Sequence, residues 1–292
     1  MNKVLKIVVL AKQVPDTRNM GEEAMTAEGT VNRAALPAIF NPDDLKALEL
    51  ALRLKDECVG STVHVLTMGP LRAADIIRDA MFRGADGGYL LTDRRFAGSD
   101  TLATSYALSC ALRKIGADVV VAGRQAIDGD TAQVGPQVAG WLGLPQVTYA
   151  EQVEQIKESS FVVRRRLERG VERVECPLPM LLTVNSSADE VRPQNAMRLM
   201  KYKYAATPSE CAAEPVALRV KLAAEREYLN IVEWTADDID CDKSILGLAG
   251  SPTKVRSIEA VVFQDKQVRS LTSADEDIEK LMVELIASRT LG

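Results

Sequence analysis

The stretch Gly123-Arg-Gln-Ala-Ile-Asp-Gly-Asp-Thr-Ala-Gln-Val-Gly-Pro136 decides how this chain folds. It follows the apolar run Asp118-Val-Val-Val-Ala122, whose length and β-branched residues suit a buried strand. It leads into Thr131–Leu142, where Val134, Val138, Trp141 and Leu142 recur at helical spacing. A strand ends, a polar glycine-bearing turn follows, and the spacing predicts a helix with Asp130 or Thr131 as its cap. Such a junction aims unpaired backbone N–H groups and the positive end of a helix dipole at one point beyond the strand, which suits a phosphate. Asp128 and Asp130 could serve as turn and cap residues alone. Gln125, Thr131 and Gln133 add donors and acceptors beyond what a cap uses. Neither the G-x-G-x-x-G fingerprint nor the Walker loop occurs, so any nucleotide is held by a different scheme.

Composition narrows the chemistry. The chain has 292 residues, of which 47% are apolar, and no apolar run long enough for a membrane span. Met1-Asn-Lys-Val-Leu-Lys-Ile-Val-Val-Leu10 runs straight into a strand pattern without a secretory cleavage signal, so a cytoplasmic protein is expected. Cys58, Cys110, Cys176, Cys211 and Cys241 show no C-x-x-C spacing, which argues against zinc and iron–sulfur ligation and for reduced thiols. A net charge of −5 disfavours a general nucleic-acid binder. The single histidine, His64, lies inside the strand pattern Thr62–Thr67, so a Ser-His-Asp hydrolase, an H-E-x-x-H protease or a His-ligated haem is hard to build here. If the protein does redox work, a cofactor carries it.

Outward from the opening stretch, strands and helices alternate. Strands are expected at Val4–Leu10, Val63–Thr67, Gly88–Thr92, Val119–Ala122 and Gln146–Tyr149. Helices are expected at Asp43–Lys55, at Leu71–Phe82 behind Pro70, and at Thr101–Arg113. Non-alternating apolar strands imply burial on both faces, hence a doubly wound, mostly parallel α/β sheet. Ser160–Leu167 and Val171–Cys176 flank Arg169-Gly170, a hairpin signal, and Pro177–Val184 returns a buried strand. Beyond Asn185 the core pattern fades into a polar loop, the basic segment Arg198–Lys203 and helices expected over Leu222–Thr235 and Asp275–Ser288. The expected division is an α/β domain over 1–190 and an extended C-terminal arm over 191–292.

Several motifs in one order carry a family resemblance. They are Lys12-Gln-Val-Pro-Asp16, Asn41-Pro42, Thr67-Met-Gly-Pro70, Gly84-Ala-Asp86, Ser99-Asp-Thr101, Gln125-Ala-Ile-Asp128, Asp130–Gly135 and Leu178-Pro179…Thr183-Val184. Together the chain resembles the β subunit of electron transfer flavoprotein, most strongly from residue 3 to about residue 203. The resemblance implies a Rossmann-like fold of the adenine-nucleotide-binding type and a heterodimer with an FAD-carrying α subunit. The C-terminal arm would wrap that subunit. In ordinary members the β site holds AMP. In electron-bifurcating members it holds a second FAD that takes hydride from NADH and divides the electrons. One goes to ferredoxin or flavodoxin, the other through the α-subunit FAD to an FAD-dependent dehydrogenase of acyl-CoA or 2-hydroxy-acid type. Leu91–Thr104 and Gly250-Ser-Pro-Thr-Lys-Val255 resemble the bifurcating group. A universal-stress-type nucleotide module shares the sheet order and stands as the reading from another class.

Carried onto this chain, the resemblance implies a nucleotide rim of Ala11, Lys12, Asn41, Asp44, Thr67, Met68 and Gly69. The phosphates would lie on Gly123, Gln125, Asp128, Gly129, Asp130, Thr131, Ala132, Gln133, Val134, Gly135 and Pro136. Nicotinamide-nucleotide contacts are expected on Thr92, Asp93, Arg94, Phe96 and Ala97, in a loop leaving the same sheet edge. Of the arginines 164–166, alternation puts Arg164 and Arg166 on one face and Arg165 on the other. The resemblance places Arg165 beside a flavin ring. Asp189–Lys201 corresponds to the loop that recognises a partner dehydrogenase, with Met197 or Leu199 as its apolar anchor.

Overall fold

The computed structural model describes residues 3–16, 37–213, 217–253 and 270–287. In chain order its strands are β1 (Lys6–Leu10), β2 (Gln13–Pro15), β3 (Ala38–Phe40), β4 (Thr62–Met68), β5 (Gly87–Leu91), β6 (Val119–Gly123), β7 (Gln146–Ile156), β8 (Ser160–Leu167), β9 (Gly170–Pro177), β10 (Met180–Val184) and β11 (Val232–Trp234). The helices are α1 (Pro42–Glu57), α2 (Ala74–Arg83), α3 (Thr101–Ile115), α4 (Val134–Leu142), α5 (Ala196–Tyr202), α6 (Pro208–Ala213), α7 (Ala217–Glu225) and α8 (Asp275–Ala287).

Nine strands form one sheet in the order β11-β5-β4-β1-β6-β10-β7-β8-β9. All neighbours from β11 to β7 run parallel, and β7-β8 and β8-β9 are antiparallel. The period of two along each central strand explains the two layers around it. Val9, Val65, Val121 and Leu182 pack with Leu48 and Leu52 of α1 and Ile77 and Met81 of α2. Val8, Leu66, Val120 and Leu181 pack with Leu108 and Leu112 of α3 and Val138 of α4. Each fully buried side chain of this kind contributes about 1.5–3 kcal/mol. The doubly wound, mostly parallel sheet with its hairpin excursion is therefore the fold.

The differences from the sequence reading lie at element ends, in the separate antiparallel pair β2–β3, which it did not anticipate, and in the tail. The helix after β6 starts at Val134 rather than at Thr131. Its cap position is Gln133, without a side-chain cap bond. Asp130 and Ala132 hold left-handed backbone, φ 49° and 52°, so regular helix cannot begin before them. After Pro70 a 3₁₀ turn, Leu71–Ala73, precedes α2. β7 extends far beyond Tyr149, because a bulge between Ala150 and Gln152 hands it from β10 to β8. The helix expected over Leu222–Thr235 ends at Glu225, and β11 instead adds a parallel strand beside β5. Of the expected C-terminal features, Lys254, Val255 and Ser288 lie outside the described residues. No helix among the described residues is long and apolar enough to cross a membrane.

Candidate functional site

Strand order reverses at β1: the chain moves from β1 to β4 and β5 on one side, then returns to β6 on the other. The carboxyl ends of β1 and β6 therefore diverge into a crevice, the usual ligand position of an open α/β sheet. Asp44 ties its two walls together. Its carboxylate accepts the Lys12 N–H at 2.8 Å and the Gly123 N–H at 3.1 Å. Only glycine fits at 123, since a Cβ there would come within 2.6 Å of the Asp43 backbone. Burial pushes the Asp44 carboxyl up to about 7, against the pull of the amides that favour its ionised form.

Asn41 stands at the cap position of α1. It makes no side-chain cap bond, although Pro42 does occupy the first turn. Its amide instead donates to the Gln125 carbonyl at 2.8 Å and accepts the Ile127 N–H at 3.2 Å. Lys12 Nζ reaches both oxygens of Asp128, at 2.7 and 2.8 Å, and Gln125 donates to Asp130 Oδ1 at 2.9 Å. The loop after β6 is thus fixed by three side-chain links. Gly135 then lets α4 approach β10, because a Cβ there would stand 2.7 Å from Thr183 Cγ2.

Within this loop the amides divide sharply. Those of Gly129 and Asp130 both donate to the Ala126 carbonyl. Those of Thr131, Ala132, Gln133, Val134 and Gly135 find no acceptor among the described residues. Five successive N–H groups without an acceptor among the described residues, interrupted by left-handed Ala132 and followed by a helix, make this loop a candidate anion receptor. At the end of β4, on the same sheet edge, Thr67 is fully buried and its hydroxyl has no partner among the described residues. Ala11 and Met68 border the same edge, and the Gly69 N–H bonds to Leu91. These unpaired groups fit the phosphates of a nucleotide.

The loop after β5 stands on the same edge. Its Asp93 accepts from Arg95 Nε at 2.9 Å and from the Ala236 N–H at 3.1 Å. The hydrogen bonds from Arg95 hold its carboxyl down at about 2. Phe96 is buried in the core, the Thr92 N–H bonds to Trp234, and the Ala97 carbonyl accepts from Leu248. Arg94 is exposed. Thr101, opening α3, donates to Gln133 Oε1 at 2.9 Å and so joins this loop to the anion receptor.

On the hairpin, Arg164 and Arg166 both turn to the buried Glu151, at 3.3 and 2.5 Å, as alternation requires. Arg165 pairs with Glu172 at 2.8 Å. Register runs from Gly123 through Val184 and Ala150 to Arg165, three strand spacings or ~14 Å along the edge. Glu151 was invisible in the sequence, because its role depends on the bulge. His64 is half-buried and stacks on Tyr89 with ring centroids 5.7 Å apart, a structural position.

An open α/β protein with a ligand crevice at its strand-order reversal is thereby defined, and comparison with known proteins narrows the class. The model of the electron transfer flavoprotein domain matches residues 28–209. The chain is 44% identical over 252 residues, 86% of each chain, to the electron transfer flavoprotein subunit beta of Clostridium acetobutylicum. It is 40% identical over 252 residues, again 86% of each, to the caffeyl-CoA reductase-Etf complex subunit CarD of Acetobacterium woodii. It is 41% identical over 256 residues, 86% of each, to the acryloyl-CoA reductase electron transfer subunit gamma of Anaerotignum propionicum. The chain belongs to the electron transfer flavoprotein family, among its β subunits. That membership leaves the universal-stress-type reading without support.

Proposed function

We propose that the chain is the β subunit of an electron-bifurcating electron transfer flavoprotein and that the crevice between β1 and β6 holds FAD. The observation that carries this reading is the run of unpaired amides at Thr131–Gly135, which would bind the diphosphate. The Thr67 hydroxyl, Lys12 and Asn41 would line the remainder of the nucleotide. Bound there, FAD would accept hydride from NADH and pass one electron to ferredoxin or flavodoxin and the other through the α-subunit FAD to a dehydrogenase. This chain's own part is to bind, orient and polarise. Arg94 offers a cation to the nicotinamide nucleotide, and Arg165 offers one to a reduced flavin. Hydride transfer requires no protein acid or base, in keeping with the poverty of histidine.

Support for the bifurcating type comes from the two relatives named for reductase complexes. Within 191–292, outside β11 and the residues packed on this chain's own core, we read the segment as partner-facing: Met197 and Met200 of α5 are 82% and 62% exposed, which suits an apolar pocket on a dehydrogenase. The same amides would also take the single phosphate of AMP, so the non-bifurcating reading is the alternative. Cofactor analysis of the coexpressed αβ pair separates them. Two FAD per heterodimer are expected; one FAD with one AMP would overturn the bifurcating assignment.

A further inference from the structure

Two segments far apart in sequence, 93–100 and 236–253, are fastened together by contacts that the functions above do not use. Ser251, 3% exposed, accepts the Asp100 N–H at 2.8 Å and donates to the Gly247 carbonyl at 2.7 Å. The Asp100 carboxylate caps α3 through the Leu102 and Ala103 amides, both at 3.0 Å, and takes the Thr253 N–H at 3.0 Å. Leu248 donates its N–H to the Ala97 carbonyl at 3.1 Å. Gly247 has left-handed φ 59° and lies so close to the Arg95 and Ala97 carbonyls that no side chain fits there. Further along, Asp237 grips Arg95 at 2.7 Å and is itself paired with Lys243.

The effect is to hold a loop at the ligand edge rigid from its outer side. Loops at such edges are ordinarily mobile and lose entropy when they close on a ligand. Here the ordering is already present, and Thr101 sets the loop against the anion receptor through Gln133. We propose that Ser251 and Asp100 are positioning residues, which keep residues 92–98 in the shape that receives the nicotinamide nucleotide. The inference rests on the NADH-oxidising reading given above. Ser251 acts through the loop and touches no ligand itself.

The test uses the coexpressed αβ complex with three variants and NADH as the probe. Ser251→Ala removes the central hydroxyl. Thr253→Pro removes the N–H that reaches Asp100, whereas Thr253→Ala keeps it. Rapid-mixing titration gives the NADH dissociation constant and the limiting rate of flavin reduction separately, and FAD content is measured in parallel. Ser251→Ala and Thr253→Pro are expected to weaken NADH binding by about fivefold to tenfold, with FAD content unchanged. Thr253→Ala should match the wild type. Wild-type NADH affinity in both Ser251→Ala and Thr253→Pro would overturn the positioning role while leaving the NADH reading intact. A wild-type complex that does not oxidise NADH would overturn that reading, and the inference with it.

Discussion

Asp44 shows how much one side chain settles at this site. It is buried at the first turn of α1, and its two oxygens receive the amides that end β1 and β6. Its folded-state value of about 7 lies above the ordinary 3.8. Between about pH 4 and about pH 7 the native chain therefore holds a proton that the unfolded chain has released. The Asp44 contribution to stability is full below that window and falls as pH rises through it, by a few kcal/mol at most. Asp44→Asn leaves one acceptor oxygen for two N–H groups and nothing to titrate. Denaturant unfolding should show it destabilised by about 1–3 kcal/mol in acid, with a flatter pH profile than the wild type. An unchanged profile would mean that the carboxylate titrates normally. At this scale the sequence was only half legible. Asn41 and Asp44 were recognisable as residues of the site, but a short polar side chain serving backbone amides reads the same as one facing a ligand. The left-handed turn at Ala132 was equally hidden, since alanine does not announce positive φ, whereas Asp130 is of a type that adopts it on occasion.

Among the elements, α1 links the crevice to the segment 188–195. Glu49, buried halfway along it, accepts Arg192 Nε at 2.8 Å, the Arg192 N–H at 3.1 Å and Arg53 Nε at 3.0 Å. Burial raises the Glu49 carboxyl, but these arginines outweigh it and hold the group ionised. Lys46 adds bonds to the Ala188 and Asp189 carbonyls, and Asn195 donates its N–H to Phe82 at the end of α2. The segment thus presents α5 from a fixed base. In Glu49→Ala the amides of residues 188–195 should lose hydrogen-exchange protection by about tenfold or more, while α3 keeps its own. Equal loss in both places would contradict a local clamp. The parallel strands and their helices were legible because burial on both faces leaves uninterrupted Val, Ile and Leu runs. β11 was not: Val232-Glu-Trp234 is too short to show a period, and its place depends on pairing with a strand more than 140 residues earlier.

Across the whole molecule, topology and local backbone converge on one corner. The reversal of strand order opens the crevice, Asp44 and Asn41 set its walls, and the loop beyond β6 fills it with unpaired amides. The hairpin extends that edge on one side, and the clasped loop beyond β5 extends it on the other. The corner was legible from the strand–turn–helix pattern and the family motifs. Which of its amides remain free was not, because Ala126 and Asp44 claim their share only once the chain is folded.

Gly129 gives the most direct test. A Cβ at this position meets nothing within 4 Å, so a larger side chain starts into open space two residues before the first unpaired amide of the loop. Nucleotides should be extracted and counted from the coexpressed αβ complex, wild type beside Gly129→Phe. The account predicts two bound nucleotides in the wild type and, in the folded variant, loss of the one belonging to this subunit while the α-subunit FAD stays. A variant that retains both, or a wild-type complex with no nucleotide on this chain, would contradict it.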